Sequence, residues 1–389
     1  MKFTEYVEVN PKTNLKKGEY APFVEMANVS ITYREPEKVE YKKYTSGPKF
    51  QNGDSVVARI EPCLQNGKRF FWKSDKIGFG STEYIVFRAK EGKMDSKYFF
   101  YLLKTDYIKK SMVSSMVGAT GRQRVNNDIF GQIEIVVPNI DKQKKIGRTL
   151  FLYDDLIENN QKQIQLLEEA ARRLYKEWFV DLRFPGHENT KIVDGVPEGW
   201  SKSMVSEVSA VLRRGISPKY NEKARGIVIN QKCIRQTIVS YDEARTQEKK
   251  YPAELEMMES DIVICSTGAG TLGRVGQIFE AKGNATLDSH VTLIRANEKI
   301  GQQYLFWSLK MQQDYLMSAG KGSTNQLELS RETIGNCKIL IPEQKIAEQA
   351  EKNFAAIHDK MKECSMQIAR LREARDLLLP KLMSGEVEV

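Results

Sequence analysis

The stretch from Asp141 to Trp178 reads DKQKKIGRTLFLYDDLIENNQKQIQLLEEAARRLYKEW. Mostly apolar residues recur in it in steps of four and three, separated mainly by charged and amide side chains. These positions, called here the seam, are Ile146, Leu150, Tyr153, Ile157, Asn160, Ile164, Leu167, Ala171, Leu174 and Trp178. This seven-residue repeat predicts an amphipathic helix that packs along another long helix. An ordinary surface helix runs about 8–20 residues, so the length of the pattern favours a coiled coil.

The partner helix lies 204 positions further along the chain. Adding that offset to each seam position gives Ala350, Phe354, Ile357, Met361, Cys364, Ile368, Leu371, Arg375, Leu378 and Leu382. The text QIxxLxEA, at 163–170, also recurs at 367–374. The chain therefore carries its long helix twice, and Pro380 is expected to stop the second copy.

The repeat extends into the segments that precede each helix. The sequence pairs Gly53–Ala58 with Ser260–Cys265 as buried strands, Tyr98–Lys104 with Tyr304–Lys310 as short apolar helices, and Ile133–Pro138 with Cys337–Pro342 as strands. We predict an α+β fold with a pseudo-twofold internal repeat. The predicted parts are a first domain at 1–140, a central long helix at 141–182, a linker and second domain at 183–342, and a C-terminal helix and tail at 343–389.

The two helices are expected to form an antiparallel coiled coil within one chain. At 1.5 Å per residue, helices of roughly 35–40 residues reach about 55–60 Å. This arrangement would set one domain at each end, related by an approximate twofold axis. Asn160 lies near the middle of the first seam, where it either fixes the register or is a tolerated polar residue.

Charge points weakly to nucleic acid. The net charge is +9, and residues 1–140 hold 23 basic and 16 acidic residues, against 21 and 19 in residues 181–342. A basic excess suits a polyanion, although a generic basic protein fits the charge equally well. We expect a cytoplasmic protein without structural metal. No apolar run approaches the length of a membrane span, and the five cysteines are scattered without a CxxC pair.

A pair of twofold-related basic domains suits double-stranded DNA, on which symmetric binders place half-sites about one helical turn or a multiple apart. The two domains differ in sequence, so the half-sites should differ as well. The expected target is an asymmetric, bipartite sequence with an unread spacer.

One motif resembles a dinucleotide-binding loop. Gly268–Gly273 matches GxGxxG and follows a predicted strand. The next segment, Arg274–Phe279, reads as a strand rather than a helix, and the other copy has Arg59–Cys63 without glycines. We favour a tight loop that approaches packed groups or a DNA phosphate, with Arg59, Gly270 and Arg274 as candidate contacts. The histidines share no catalytic spacing, so we predict neither catalytic residues nor a metal site.

A polar loop precedes the last predicted strand of each domain. Arginine can bind guanine edges, asparagine and glutamine can bind adenine edges, and threonine, serine and backbone N–H groups suit phosphates. A solvated loop has a similar composition, but the recurrence strengthens the binding interpretation. The candidate DNA-binding residues are Thr120, Arg122, Gln123 and Arg124 in the first copy, and Lys321, Ser323, Thr324, Asn325 and Gln326 in the second.

Several segments resemble the specificity subunits of Type I restriction–modification enzymes. Leu156–Asn160 and Leu174–Phe179 resemble their central region, Gly195–Trp200 the entry to their second target-recognition domain, and Leu377–Gly385 their C-terminus. The resemblance implies a non-catalytic, sequence-specific DNA-binding subunit that acts in DNA methylation and phage defence. It also implies two methyltransferase subunits that use S-adenosylmethionine, and restriction subunits that need ATP and magnesium. The chain itself would hold no cofactor.

Two other functions stay open on the sequence. The chain could be a stand-alone DNA-modifying enzyme whose motif is not recognisable, or a coiled-coil scaffold that never contacts DNA. Turnover by the pure chain would favour the enzyme, and failure to bind any DNA with partners present would favour the scaffold.

Overall fold

The computed structural model describes residues 1–31, 33–268, 270–322 and 327–389. These residues form two compact units. Unit 1 comprises Met1–Gln161 together with Met366–Val389, and unit 2 comprises Lys162–Ser365. The helices, in chain order, are α1 (Ser96–Leu102), α2 (Asp106–Ser114), α3 (Ile140–Tyr175), α4 (Gln302–Met311), α5 (Gln313–Ser318), α6 (Arg331–Gly335) and α7 (Gln344–Ser384). Each unit therefore contains one part of α3 and one part of α7, the two long helices.

The strands of unit 1 form two principal sheets. Their bounds are β1 (Val7–Val9), β2 (Tyr20–Val24), β3 (Glu40–Lys43), β4 (Lys49–Phe50), β5 (Ser55–Ala58), β6 (Arg69–Phe71), β7 (Gly78–Gly80), β8 (Tyr84–Ala89), β9 (Met116–Val117) and β10 (Arg124–Val125). One sheet has the order β1-β8-β5-β6 and the other β3-β2-β7-β4, while β9 and β10 form a hairpin. β5 is buried along its whole length because it lies inside its sheet and its successive residues Val56 and Val57 pack into two different apolar clusters.

The strands of unit 2 repeat this plan. They are β11 (Ile192–Val193), β12 (Val196–Pro197), β13 (Ser201–Met204), β14 (Ser209–Arg214), β15 (Gly226–Ile229), β16 (Arg245–Gln247), β17 (Ile262–Cys265), β18 (Val275–Gln277), β19 (Ala285–Leu287), β20 (Val291–Ala296) and β21 (Lys338–Ile341). The order β14-β20-β17-β18 matches β1-β8-β5-β6. β15 pairs antiparallel with β16 and parallel with β19, as β2 does with β3 and β7. The predicted duplication is therefore present at the level of strand topology.

The long helices pack antiparallel. In unit 1, Lys142 of α3 lies 3.2 Å from Glu388, just beyond the end of α7, and Asp154 forms an ion pair with Arg375. Residues later in α3 thus contact residues earlier in the C-terminal segment, as expected for antiparallel helices. In unit 2, the Cys364 thiol donates to Gln163 at 3.6 Å. All twenty seam positions named from the sequence are buried or half-buried, including Ile146, Leu150, Tyr153, Ile157, Asn160, Ile164, Leu167, Leu174, Phe354, Ile357, Met361, Ile368, Leu371 and Leu378.

The prediction that Pro380 stops the second helix is wrong, because α7 contains it and continues to Ser384. Proline removes one backbone donor from a helix. The turn survives because its apolar side chains are held by the core of unit 1. Leu382 is 1% exposed, and Leu378 and Leu379 pack against the same core.

The predicted strand at Ile133–Pro138 is also wrong as a full strand. Its copy, β21, pairs with all of β13, from Ser201 to Met204. In unit 1 the equivalent ladder shrinks to a bridge between Lys2 and Glu134, flanked by a hydrogen bond from the Ile135 amide to Met1. A 3-10 helix follows this pairing in both units, at Phe3–Glu5 and at Val205–Glu207.

The two units cap their first short helices, α1 and α4, in different ways. In unit 1, Asp95 caps α1 by accepting from the Tyr98 amide at 2.8 Å. In unit 2, Glu351 of α7 instead accepts from the amides of Gln303 (3.0 Å) and Tyr304 (2.8 Å). These carboxylates satisfy amides that a helix N-terminus leaves unpaired. The position of α3 that matches Glu351 is Gly147, where a Cβ would lie 2.6 Å from the Tyr98 nitrogen.

A buried charge network joins the long helices to the core of unit 1. Asp154 is 2% exposed. It accepts from the Tyr101 hydroxyl at 2.5 Å, pairs with Arg375, and lies 3.9 Å from the Lys104 ammonium. Burial favours the neutral acid, but the charges of Lys104 and Arg375 hold the pKa of Asp154 below its ordinary value.

Candidate nucleic-acid interface

The same backbone scaffold supports the candidate loops in both units. At the end of β5, the Arg59 amide donates to the Glu83 carbonyl (2.8 Å), and the Arg59 carbonyl accepts from Val125 (2.9 Å). At the end of β17, the Ser266 amide donates to the His290 carbonyl (2.8 Å), and the Ser266 carbonyl accepts from the Leu329 amide (2.8 Å). Single bridges follow at the next position, Ile60 with Arg124 and Thr267 with Glu328. Each unit thus brings the residues after its central strand beside the returning polar loop.

Two of the predicted arginines of unit 1 are held by other groups. Arg124 makes a bidentate contact with Glu83, at 2.9 Å from Nε and 2.7 Å from Nη2. Arg59 donates from Nη2 to the Val125 carbonyl at 3.0 Å. Fork-to-carboxylate pairs of this kind fix geometry, so Arg124 and Arg59 brace the loop against the sheet.

The tip of the unit 1 loop is open to solvent. Thr120 and Arg122 are exposed, and Gln123 is half-buried. The turn is closed by a hydrogen bond from the Arg122 amide to Ala119 at 2.9 Å. Gly121 has a φ of +78°, a conformation that side-chain-bearing residues seldom adopt. Arg122 is therefore the candidate cation at this tip that can reach a ligand.

A cleft adjoins Arg59 on the same unit. Its volume is about 630 Å³, and its lining includes the cations Lys12, Lys49 and Arg59 together with Asn14 and Thr82. No carboxylate lies among the described lining residues. Cations and neutral hydrogen-bonding groups without acids suit phosphate oxygens. The structure thus brings Arg59 together with lysines that the sequence did not single out.

The unit 2 surface has the same backbone but different side chains. Lys321 is exposed, and its backbone exchanges two 2.9 Å hydrogen bonds with Glu328. The Glu328 carboxylate accepts from Arg214 at 2.6 Å. Gly270 is exposed with a φ of +78°, and Arg274 donates to its carbonyl at 2.7 Å. The candidates Ser323, Thr324, Asn325 and Gln326 lie outside the described residues.

The sequence missed a polar pair in unit 2. The Thr267 hydroxyl lies 2.6 Å from Nδ1 of His290, and the imidazole is exposed. The internal repeat was the signal that could have found it, because the 207-residue offset maps Glu83 of unit 1 onto His290. An ion-paired carboxylate in one copy is therefore replaced by an imidazole in the other.

Two kinds of feature are absent from the described residues. Within the four described ranges, no group of three or more histidine, cysteine, aspartate or glutamate side chains is placed to hold a metal ion. In that same part of the chain, no helix combines the length and apolar character needed to cross a bilayer.

The fold and the interface define an internally duplicated protein whose α+β units carry matching polar loop surfaces and share an antiparallel helix pair. A family model described as the Type I restriction modification DNA specificity domain matches residues 7–169 and 197–363. The chain belongs to this family and carries its domain twice.

Similar proteins carry the same family name. The chain is 28% identical over 308 residues to the Type I restriction enzyme MjaIX specificity subunit of Methanocaldococcus jannaschii, covering 76% of this chain and 69% of the relative. It is 25% identical over 415 residues to the HindI specificity subunit of Haemophilus influenzae, covering 87% of each. A Type I restriction–modification S subunit from M. genitalium shares the fold, with a TM-score of 0.57 at 18% identity over 98% of this chain and 95% of that one.

Proposed function

We propose that this chain is the DNA-reading subunit of a Type I restriction–modification complex and performs no catalysis itself. Unit 1 reads one half of an asymmetric, bipartite DNA sequence, and unit 2 reads the other half. The long helices set the length of the unread spacer. Family membership and the paired loop surfaces support this proposal.

One observation carries the bipartite assignment. The loop scaffolds after β5 and β17 are alike in backbone hydrogen bonding, yet corresponding positions hold Glu83 and His290, and Arg124 and Glu328. Direct readout depends on which donors and acceptors meet the base edges. A shared scaffold with different side chains therefore suits two similar domains that read two different sequences.

The chemistry of the reaction is assigned to partner subunits. We propose that two methyltransferase subunits, which use S-adenosylmethionine, bind this chain, and that restriction subunits requiring ATP and magnesium join them. Leu152 and Leu156 of α3 are 53% and 51% exposed and lie outside the seam positions. Apolar residues on an outer helix face suit a protein partner, so we propose them as part of the methyltransferase contact.

The test is methylome sequencing of a host that carries this chain with its methyltransferase partner, compared with a host that lacks the chain. We expect one asymmetric, bipartite motif that disappears on deletion. Exchange of residues 1–140 for the matching domain of another specificity subunit should change one half of the motif and leave the other intact. A motif that changes in both halves, or in neither, would contradict the assignment of one half to each unit.

A further inference from the structure

Unit 1 exposes a second basic surface, which consists of Tyr20, Tyr41, Lys43 and Lys76 and is called here the tyrosine–lysine face. β3 is an edge strand of the sheet β3-β2-β7-β4. Its register places Tyr20 opposite Lys43 and Pro22 opposite Tyr41. Paired residues share a face of the sheet, as do residues two apart on one strand. Tyr20, Tyr41 and Lys43 therefore lie on one side of the sheet.

Each tyrosine on this face holds a lysine. The Lys43 ammonium lies 5.5 Å from the centre of the Tyr20 ring, and the Lys76 ammonium lies 5.2 Å from that of Tyr41. Lys76 also donates to the Tyr41 hydroxyl at 3.2 Å. The tyrosines remain 69% and 57% exposed. These contacts orient the two cations and leave them open to a ligand.

The cations of the tyrosine–lysine face are not neutralised by acids. Among the described residues, no carboxylate lies within 4.0 Å of the Lys43 or Lys76 ammonium. The acid of β3, Glu40, accepts instead from Lys38 (2.8 Å) and Lys42 (2.9 Å). Glu40 and Lys42 point to the opposite side of the sheet, because side chains alternate along a strand.

We propose that the tyrosine–lysine face binds phosphates of the DNA duplex that adjoins the half-site read by unit 1. This proposal rests on the proposed function. Lysine ammonium and tyrosine hydroxyl groups are phosphate ligands, and contacts to phosphate position a protein without reading sequence. Lys43 on the edge strand β3 and Lys76 in the loop before β7 have no carboxylate partner among the described residues. Two such cations fit a polyanion, so this surface supplies affinity rather than base selectivity.

The matching edge of unit 2 has a different balance of charge in the part that the structure describes. Arg245 of β16 lies over the Tyr220 ring at 3.4 Å, so the pairing of a cation with a tyrosine recurs. The neighbouring Lys219, however, forms an ion pair with Glu248. The two units therefore contribute unequally, and unit 1 supplies more of the salt-dependent binding.

The test uses the full chain and two duplexes of equal length, one with the methylated motif and one without it. Affinity is measured against salt concentration for the parent and for the double variant Lys43→Gln/Lys76→Gln. Loss of two phosphate contacts should lower the slope of log affinity against log salt by about 1.8. The decrease should be equal on both duplexes, and the methylated motif should be unchanged.

A matched control removes the same charge elsewhere. Lys110 lies 3.9 Å from Asp106, and Lys219 is paired with Glu248, so Lys110→Gln/Lys219→Gln should leave the slope unchanged. An equal slope for the test variant and the parent would overturn the proposal, as would a loss confined to the motif duplex. A variant that keeps its slope but fails to assemble with the methyltransferase subunit would assign the face to a protein and also overturn it. If the parent binds neither duplex at low salt, the proposed function fails instead.

Discussion

A single carboxylate joins three donors in the core of unit 1. Asp154 meets Tyr101, Lys104 and Arg375, and its side chain is 2% exposed. Such a network gives little net stability as a whole, but it becomes costly when one partner is removed. Its members therefore act together to fix how this part of α3 meets α7.

We expect Asp154→Asn to lower the free energy of unfolding by about 3–5 kcal/mol, because Lys104 would lose its carboxylate and the buried Arg375 would keep only the exposed Asp376 as an ion-pair partner. Urea unfolding measures the change. The neighbouring variant Asp155→Asn is the control. Asp155 is 49% exposed, and its partner Arg34 keeps Glu158 at 2.6 Å, so we expect a loss of at most about 1 kcal/mol. Equal losses in the two variants would contradict the role given to Asp154.

We expect the buried Lys310 ammonium to make the free energy of unfolding increase at alkaline pH. The side chain is buried and donates to the Val275 carbonyl at 2.7 Å, and burial lowers its pKa to about 8 from 10.5. Between these values the unfolded chain binds more protons than the folded chain, so stability increases as pH rises. The advantage of the parent over Lys310→Met should grow above pH 8, by at most about 1.4 kcal/mol per pH unit.

Urea unfolding from pH 7 to pH 10 measures this difference. A pH-independent difference for Lys310→Met would show that the ammonium is not desolvated by the fold.

The sequence could predict the seam but not the charges inside it. Heptad spacing identifies positions that face a partner helix, and Arg375 fell on such a position as an apparent exception. Asp154 lies one residue from the seam position Tyr153, so spacing alone gave no reason to pair it with Arg375. The pairing depends on the relative rotation of two helix segments that are distant in sequence, which no local pattern encodes.

At the level of the element, the end of α7 is fixed by packing rather than by local propensity. Pro380 is expected to end a helix, yet α7 continues to Ser384. Leu382 lies in the core that also contains Ile146 and Leu150 of α3. Tertiary burial therefore overrides the signal that the sequence offers.

We expect Leu382→Ala to destabilise the chain by about 2–5 kcal/mol, because it leaves a cavity in the core of unit 1. Leu377→Ala on the same helix should cost less than about 0.5 kcal/mol, since Leu377 is 63% exposed. Chemical denaturation compares the two variants. Equal effects would mean that the turn after Pro380 does not anchor the helix.

For the whole molecule, the duplication predicts that readout can be altered one half at a time. Arg122→Gln should relax methylation at the half-site read by unit 1 and weaken binding of the intact motif about 10- to 100-fold, as expected for loss of one arginine–base contact. Lys321→Gln should affect only the other half. Methylome sequencing of both variants checks the result, and relaxation of both halves by either one would argue against separate readout.

The duplication was predictable because the two copies of the repeated sequence can be aligned with each other within the chain. That alignment identified the buried strands after Gly53 and Ser260, the apolar helices and the polar loops. It could not identify the tyrosine–lysine face, because Tyr20 and Lys43 become neighbours only through the register of β2 with β3. It also gave no indication that the Arg124 guanidinium would form an ion pair with the Glu83 carboxylate.

Unit 1 is built from two segments that are distant in sequence, and this affects the order in which its parts are synthesised. Its core is built from residues up to Phe151 and from Leu382, and all of unit 2 is synthesised between them. A nascent chain that has passed α3 therefore holds Ile146 and Leu150 without Leu382, which belongs to the same apolar cluster. Unit 1 reaches its complete core only after the last turns of α7 emerge, whereas every residue of unit 2 is already available by then.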